Sequence, residues 1–163
     1  KVCCMIAAKQ TIITKEHDAS VETMIFHNDL KAYGKGFYSF YQKAREKGVK
    51  YIRARPYDVW EDPETRNLTL RYEDLETGVL KREEVELLVL STGLLPSPRN
   101  TTLAKVLGIE LTPLGFFKER DPLRASLEST AGGIYLCGGA TGPIDISESV
   151  VQACGAAMKA LLT

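Results

Sequence analysis

The spacing of apolar residues predicts two helices and two strands in the first third of the chain. Residues 1–17 and Phe37–Lys47 place apolar side chains three and four positions apart, which is the spacing of one helix face. Val21–Phe26 and Val49–Arg55 are short runs rich in β-branched and aromatic residues, which favour strands. The order helix, strand, helix, strand is typical of a parallel sheet with crossover helices.

The pattern changes after Pro56, which we expect to end the second strand. Leu68–Tyr72 alternates between apolar and polar residues, and Val79–Glu84 follows it after a stretch of turn residues. Together the two segments predict an antiparallel meander. The apolar run Val85–Leu90 then predicts a buried strand that ends at Ser91–Gly93.

The end of the chain has a different signature. Residues 103–132 give mixed signals and predict mostly irregular structure, with a helical turn closed by Gly108. A short apolar strand then runs into the glycine-rich turn of Gly133–Pro143, and a helix follows. Asp145 and Glu148 have the spacing of a capping box, with Ser147 as the alternative N-cap.

A strand, a glycine-rich turn and a helix together form a unit that can hold a nucleotide. Glycines let the backbone approach a ligand closely, and the helix N-terminus offers N–H groups that have no partner within the helix. Similar turns also occur in α/β proteins that bind nothing there, so both interpretations stay open. In the helix itself, Gly155 and the alanines around it suit close packing on a sheet.

These elements predict an α/β fold with a Rossmann-like three-layer nucleotide-binding domain, an antiparallel β-meander and an added strand-loop-helix. We expect the first domain to cover residues 1–95, a linker or irregular segment to cover 96–125, and the strand-loop-helix to cover 126–163.

Composition narrows the function classes. The 163 residues are 44% apolar and 26% charged, with 21 basic against 21 acidic side chains, so nothing indicates a nucleic-acid partner. No apolar run approaches the length of a membrane span, and the chain opens with neither a signal peptide nor Met. We therefore expect a cytoplasmic protein, of which this chain is a piece.

The adjacent pair Cys3 and Cys4 is the first candidate for chemistry. Two neighbouring thiols are either metal ligands or core residues of the first helix, and alone they cannot complete a four-cysteine iron-sulfur site. Cys137 and Cys154, on a strand and on an apolar helix face, are expected to be packing residues.

The remaining polar candidates are weaker. His17 and His27 have no partner at metal-ligand spacing, so we expect both on the surface. Asp29 follows a strand and could accept a hydrogen bond from a ribose hydroxyl, but the G-x-G-x-x-G turn of dinucleotide domains is absent. A solvated loop aspartate is the favoured interpretation.

A set of motifs extends over nearly the whole chain. They are Val2-Cys-Cys-Met5, Ala8-Lys-Gln10, Ile25–Phe37, Phe40-Tyr41, Tyr51–Pro56, Leu90–Leu94, Tyr135–Pro143 and Asp145–Ser149. Together they resemble the A subunit of CoB-CoM heterodisulfide reductase, a family similar to thioredoxin reductase in its flavin core. The resemblance implies that the chain is a middle segment, with residues 1–95 as an inserted pyridine-nucleotide-like domain and 126–163 as the second half of an incomplete FAD domain.

The resemblance also implies site residues. Cys3 and Cys4 resemble the last two ligands of a [4Fe-4S] cluster, and Lys9 resembles a residue near the flavin. The FAD contacts implied are Gly138, Gly139, Ala140 and Thr141 for the ribityl and phosphate part, with Ser147, Val151 and Gln152 toward the isoalloxazine. Gly139 stands where related flavoproteins usually carry Asp.

The implied function is that of a flavin and iron-sulfur electron-transfer subunit, an oxidoreductase related to methanogenesis. FAD would relay or bifurcate electrons between [4Fe-4S] clusters, and the partners would be other subunits of a heterodisulfide-reductase-type complex. With half of the FAD site missing, the isolated chain is expected to be inactive and to hold neither group.

Two alternatives belong to other classes. One is a non-catalytic module that uses its nucleotide fold for subunit docking. The other is part of an NAD(P)H-dependent disulfide reductase, against which the missing glycine fingerprint and the lack of a Cys-x-x-Cys pair count. We also expect an open sheet edge beside Val85–Leu90, filled by Ile134–Cys137 or by a second copy in a homodimer.

Overall fold

The computed structural model describes residues 1–162, which form two compact units that divide between Thr92 and Gly93. In chain order the first unit contains α1 (Val2–His17), β1 (Met24–His27), α2 (Phe37–Glu46), β2 (Lys50–Glu61), β3 (Leu68–Asp74) and β4 (Val79–Val85). The second contains α3 (Asn100–Leu107), β5 (Glu119–Asp121), β6 (Ala125–Ser129), a 3-10 turn (Gly138–Ala140) and α4 (Ile146–Leu161). No helix among these is both long and apolar enough to span a bilayer.

The first unit is built on a four-stranded sheet in the order β1-β2-β3-β4. β1 and β2 pair in parallel through the crossover helix α2, whereas β2, β3 and β4 form an antiparallel meander. The predicted parallel pair and the predicted meander are both confirmed. The fold is therefore mixed α/β with a mixed sheet.

A small apolar cluster holds the helices against the parallel pair. Ala8 and Ala44 are fully buried and pack with Ile12 and Val49, so α1 and α2 share one core. Alanine at these positions allows the helices to come close to the strands. The antiparallel strands bury Leu70 and Tyr72, which are 1% and 4% exposed.

The prediction that Pro56 ends β2 is wrong. β2 continues to Glu61, and the register with β3 shifts between Pro56 and Asp58, so Tyr57 is an extra residue in a β-bulge. Proline lacks an N–H donor and is tolerated at bulges or where one side of a strand is unpaired. Both conditions hold, because β1 pairs with β2 only as far as Arg53.

The buried strand predicted for Val85–Leu90 is also wrong. β4 ends at Val85, and the next residues belong to no strand. Leu87, Val89 and Leu90 are 77%, 60% and 75% exposed. An apolar run becomes a strand only where another strand completes its hydrogen bonds, and none of the strands within residues 1–162 does so here.

Ile134–Cys137 does not fill an edge at that run, contrary to the expectation. Instead the Ser129 N–H donates to the Ile134 carbonyl at 2.9 Å, and the Leu136 N–H donates to the Leu127 carbonyl at 2.8 Å. This segment therefore lies along β6 inside the second unit.

The second unit is more regular than its sequence suggests. The predicted helical turn closed by Gly108 is α3, with Gly108 in the left-handed region at φ 66°. The β5–β6 hairpin was missed because Glu119–Asp121 is all charged and has no alternation. Ala104, Ile109, Phe117 and Leu136 form the core of this unit.

α4 begins with the predicted capping box. The Glu148 N–H donates to the Asp145 carboxylate at 2.8 Å, and the Asp145 N–H faces the Glu148 carboxylate at 3.5 Å. A Cβ on Gly155 would lie 2.8 Å from the Leu127 side chain, so glycine is what allows α4 to approach β6 so closely. Lys159 donates to Glu128 on β6 at 2.6 Å.

The outer side of α4 differs from the expectation. The predicted apolar face is exposed at Val150, Val151 and Leu161, which are 58%, 71% and 81% accessible. Cys154, expected to be a packing residue, is exposed as well. Only the strip around Gly155 and Ala156 packs on β6, because the small residues lie there.

Removing the Asp145 cap should destabilise α4 while removing Ser147 should not. Asp145→Ala deletes a carboxylate that accepts a hydrogen bond from the first turn, which typically costs about 1 kcal/mol of unfolding free energy. Ser147→Ala is the matched control, since Ser147 is exposed and forms no cap. Urea unfolding of both variants measures the difference. Equal losses would contradict Asp145 as the N-cap.

Candidate functional site

The first unit has a cavity of about 480 Å³ at the carboxyl end of β1. Its walls are Cys3, Cys4 and Ala7 of α1, residues Ile25–Lys31 of β1 and the following loop, and Ser91. This volume is typical of small-molecule sites. Sheets with parallel strands bind ligands outside the carboxyl ends of those strands, so the cavity lies where a ligand is expected.

Cys3 and Cys4 lie side by side in the first turn of α1, and both are partly buried. The Ser91 hydroxyl donates to the Cys3 carbonyl at 3.1 Å and ties this turn to the end of the first unit. No three His, Cys, Asp or Glu side chains converge as a metal site anywhere in residues 1–162.

His27 is not the surface residue that its position suggested. Its Nδ1 atom is buried without a hydrogen-bond partner. Burial, and then the positive charge of Arg53, lower the pKa of His27 below 6.5, although Asp29 and Glu76 act in the opposite direction. The imidazole is consequently neutral near pH 7.

Tyr51 is a second buried polar group without a partner. Its hydroxyl has no hydrogen bond, and its ring lies 6.1 Å from that of His27. Burial, with smaller effects from Tyr41 and Cys4, raises the pKa of Tyr51 to about 12. Buried polar groups nearly always find a partner. His27 lines the cavity, whereas Tyr51 packs against the apolar cluster of Ala8 and Ala44, so the partnerless polar atom at the cavity wall is that of His27.

The sequence analysis placed His27 on the surface and gave Tyr51 no role. The usable signal was the position of His27 as the last residue of β1, since that end of a parallel strand faces the ligand side of a sheet. Tyr51 gave no signal, because an aromatic residue in a strand predicts core.

The other candidates of the first unit lie further out. Asp29 is exposed in the loop at the mouth of the cavity, as expected of a solvated aspartate. Lys9 is exposed on α1 and is not among the residues that line the cavity.

In the second unit the glycine-rich turn is linked to α4 by hydrogen bonds. The Gly138 N–H donates to the Gln152 side-chain carbonyl at 2.8 Å, and the Thr141 hydroxyl donates to the Gly138 carbonyl at 3.1 Å. Gly138 has φ +65°, a conformation that L side chains rarely adopt. The fold thus brings three of the predicted residues together.

The remaining four have different surroundings. Ala140 packs against the core, and its carbonyl accepts a hydrogen bond from the Phe117 N–H at 3.0 Å. Gly139, Ser147 and Val151 are exposed. They lie on the surface of the turn and of α4.

No protein-family model matches the chain. Three curated relatives are all named for heterodisulfide reduction. The iron-sulfur A subunit of the CoB-CoM heterodisulfide reductase of Methanocaldococcus jannaschii is 48% identical over 158 residues, which are 96% of this chain and 24% of the relative. The A subunit of the H2/formate:CoB-CoM heterodisulfide,ferredoxin reductase of Methanococcus maripaludis is 45% identical over 158 residues, with the same coverage of 96% and 24%. The A subunit of the H2:CoB-CoM heterodisulfide,ferredoxin reductase of Methanothermobacter marburgensis is 37% identical over 163 residues, which are 99% of this chain and 25% of the relative.

The chain corresponds to one segment of the family of heterodisulfide reductase A subunits. The resemblance seen in its motifs is confirmed, and the chain spans about a quarter of the length of these relatives.

Acid should destabilise the first unit through His27. Because the folded pKa is lowered, the unfolded state binds the proton first, so stability is fully present above pH 6.5 and falls as the pH drops through the folded pKa. His27→Phe should remove this fall from the unfolding free energy measured between pH 7.5 and 5. The matched control is His17→Gln at the exposed end of α1, the only other histidine. An unchanged pH profile in His27→Phe would contradict the assignment.

Proposed function

We propose that the chain is part of an electron-transfer component of a heterodisulfide-reductase-type complex, an oxidoreductase in which FAD relays or bifurcates electrons between [4Fe-4S] clusters. One observation carries the proposal. The adjacent thiols of Cys3 and Cys4 line the cavity of a chain whose relative is named as the iron-sulfur component of such a reductase.

In this proposal Cys3 and Cys4 supply two thiolate ligands to one cluster, and the other two ligands come from outside residues 1–162. The first turn of α1 suits the role, because N–H groups there have no partner within the helix and favour negative charge nearby. Ser91 holds the turn through the Cys3 carbonyl. His27 lines the same cavity and has a partnerless polar atom, which favours a polar ligand there.

The flavin part concerns the second unit. We assign residues 1–95 to an inserted domain and residues 126–163 to the returning half of an FAD domain. Gly138–Thr141 would approach the ribityl and phosphate part, while Ser147, Val151 and Gln152 would contact the rest. When bound, FAD exchanges electrons singly or in pairs. What the chain contributes is backbone without side chains at Gly138 and Gly139.

The proposed partners are the other subunits of the complex, and the proposed compartment is the cytoplasm, where thiolate ligands stay reduced. The Rossmann-like assignment of the first unit belongs to the same proposal. Its support is the parallel pair β1–β2 with the crossover helix α2.

Replacing the cysteine pair should remove one cluster from the full-length protein. Cys3→Ser with Cys4→Ser should lower the iron content by about four atoms per polypeptide and should reduce the visible absorbance of the clusters. Cys154→Ser is the matched control, because Cys154 is an exposed thiol on α4. Iron and acid-labile sulfide are measured after anaerobic reconstitution.

The same samples separate the two cofactors. The double variant should keep the FAD content of the wild type, since the proposed flavin contacts lie mainly in the second unit. Unchanged iron in the double variant would refute the ligand assignment. Full-length protein that binds no FAD would refute the flavin part and leave the cluster part standing.

A further inference from the structure

The meander carries a second concave surface, which shares no lining residue with the cavity of the cysteines. It is a pocket of about 340 Å³, the meander pocket, lined by Tyr57, Arg71, Leu80, Lys81 and Arg82. Three of the five lining side chains are cationic and none is acidic. The pocket therefore has the chemistry of an anion-binding surface.

Two of these cations face each other across the strands. The β3–β4 register places Arg71 directly opposite Arg82, and like charges in that arrangement are destabilising. Arg71 is balanced by Asp58, with 3.5 Å between the guanidinium and the carboxylate, and Lys81 is balanced by Asp74 at 2.5 Å. Arg82 has no ion pair with any residue from 1 to 162. Of the three cations that line the meander pocket, Arg82 is therefore the one whose charge has no carboxylate partner.

Apolar and aromatic side chains surround the charge. Tyr57 and Leu80 are 60% and 68% exposed, and the only tryptophan, Trp60, is 45% exposed on the same meander. The Arg71 guanidinium lies 5.5 Å from the centre of the Trp60 ring. Tyrosine, tryptophan and arginine are the residues most enriched where proteins bind one another.

A second copy of the chain is a poor occupant of this edge. β4 is the outer strand of the sheet, and a two-fold axis through it would place a residue opposite its own copy. The four central residues, Lys81–Glu84, are all charged. If two copies of β4 paired about any of these four residues, that residue would face the same residue of the other copy, and the two like charges would repel each other.

We propose that the meander pocket docks an acidic, extended segment of a different protein. A carboxylate of that segment binds the guanidinium of Arg82 through two hydrogen bonds, and an adjacent apolar side chain covers Tyr57 and Leu80. The neutralised Arg82 then no longer repels Arg71. Because this surface belongs to the meander alone, the proposal is independent of the cofactors proposed above.

The test uses the full chain and a fluorescein-labelled peptide, Glu-Leu-Glu-Leu-Glu, with both ends blocked. Fluorescence polarisation should show saturable binding below about 1 mM, with a matching change in the emission of the single tryptophan. Arg82→Gln should weaken binding about tenfold, which is about 1.4 kcal/mol. Lys105→Gln, which removes an exposed cation from α3, should bind as the wild type does.

Two further probes complete the test. The same peptide with Lys in place of Glu should not bind, and sodium acetate should compete only at far higher concentrations than the unlabelled peptide. The proposal is overturned by the absence of saturable binding, by equal binding of the lysine peptide, or by an Arg82→Gln variant that is folded and binds normally. Competition by acetate at peptide concentrations would also overturn it, because the pocket would then be a small-anion site.

Discussion

The parallel pairing of β1 with β2 is the constraint on which the first unit depends. It forces the chain to cross back through α2, and the two strands then end at the same edge of the sheet. Their last paired residues are His27 and Arg53, which are directly opposite each other. The same pairing thus places the cavity at the strand ends, and it contributes both to the burial and to the Arg53 charge that lower the pKa of His27, in that order of size.

Local sequence predicted the parts of the fold that local chemistry decides. The capping box of Asp145 and Glu148 could be predicted because both partners lie within one helical turn. The end of α3 at Gly108 could be predicted because the residue after a helix often adopts the left-handed conformation, which favours glycine. The strand predicted to include Leu87–Leu90 is wrong because strand formation depends on distant residues. Its apolar pattern shows that these positions favour burial, but whether they form a strand depends on a partner that the pattern does not contain.

The candidate site also has one part that local sequence predicts and one part that depends on strand pairing. The cysteine pair was visible because its members are adjacent in sequence. The partnerless His27 at the cavity wall was not visible, because its burial depends on the alignment of β1 with β2, which places its ring centre 6.1 Å from that of Tyr51. Pro56 is a further example, since a bulge at Tyr57 depends on the register between β2 and β3 rather than on proline alone.

The glycine-rich turn illustrates what a ligand would have to change. The Gly138 N–H and the Gln152 side-chain carbonyl already satisfy each other at 2.8 Å, and the Thr141 hydroxyl donates to Gly138 as well. A ligand that accepts a hydrogen bond from Gly138 must therefore displace Gln152, which exchanges one hydrogen bond for another and changes the free energy little. Gln152 then regains an amide that can donate and accept. Selectivity in the proposed flavin site consequently depends on whether the ligand can also bind the released Gln152, rather than on access to the glycine alone.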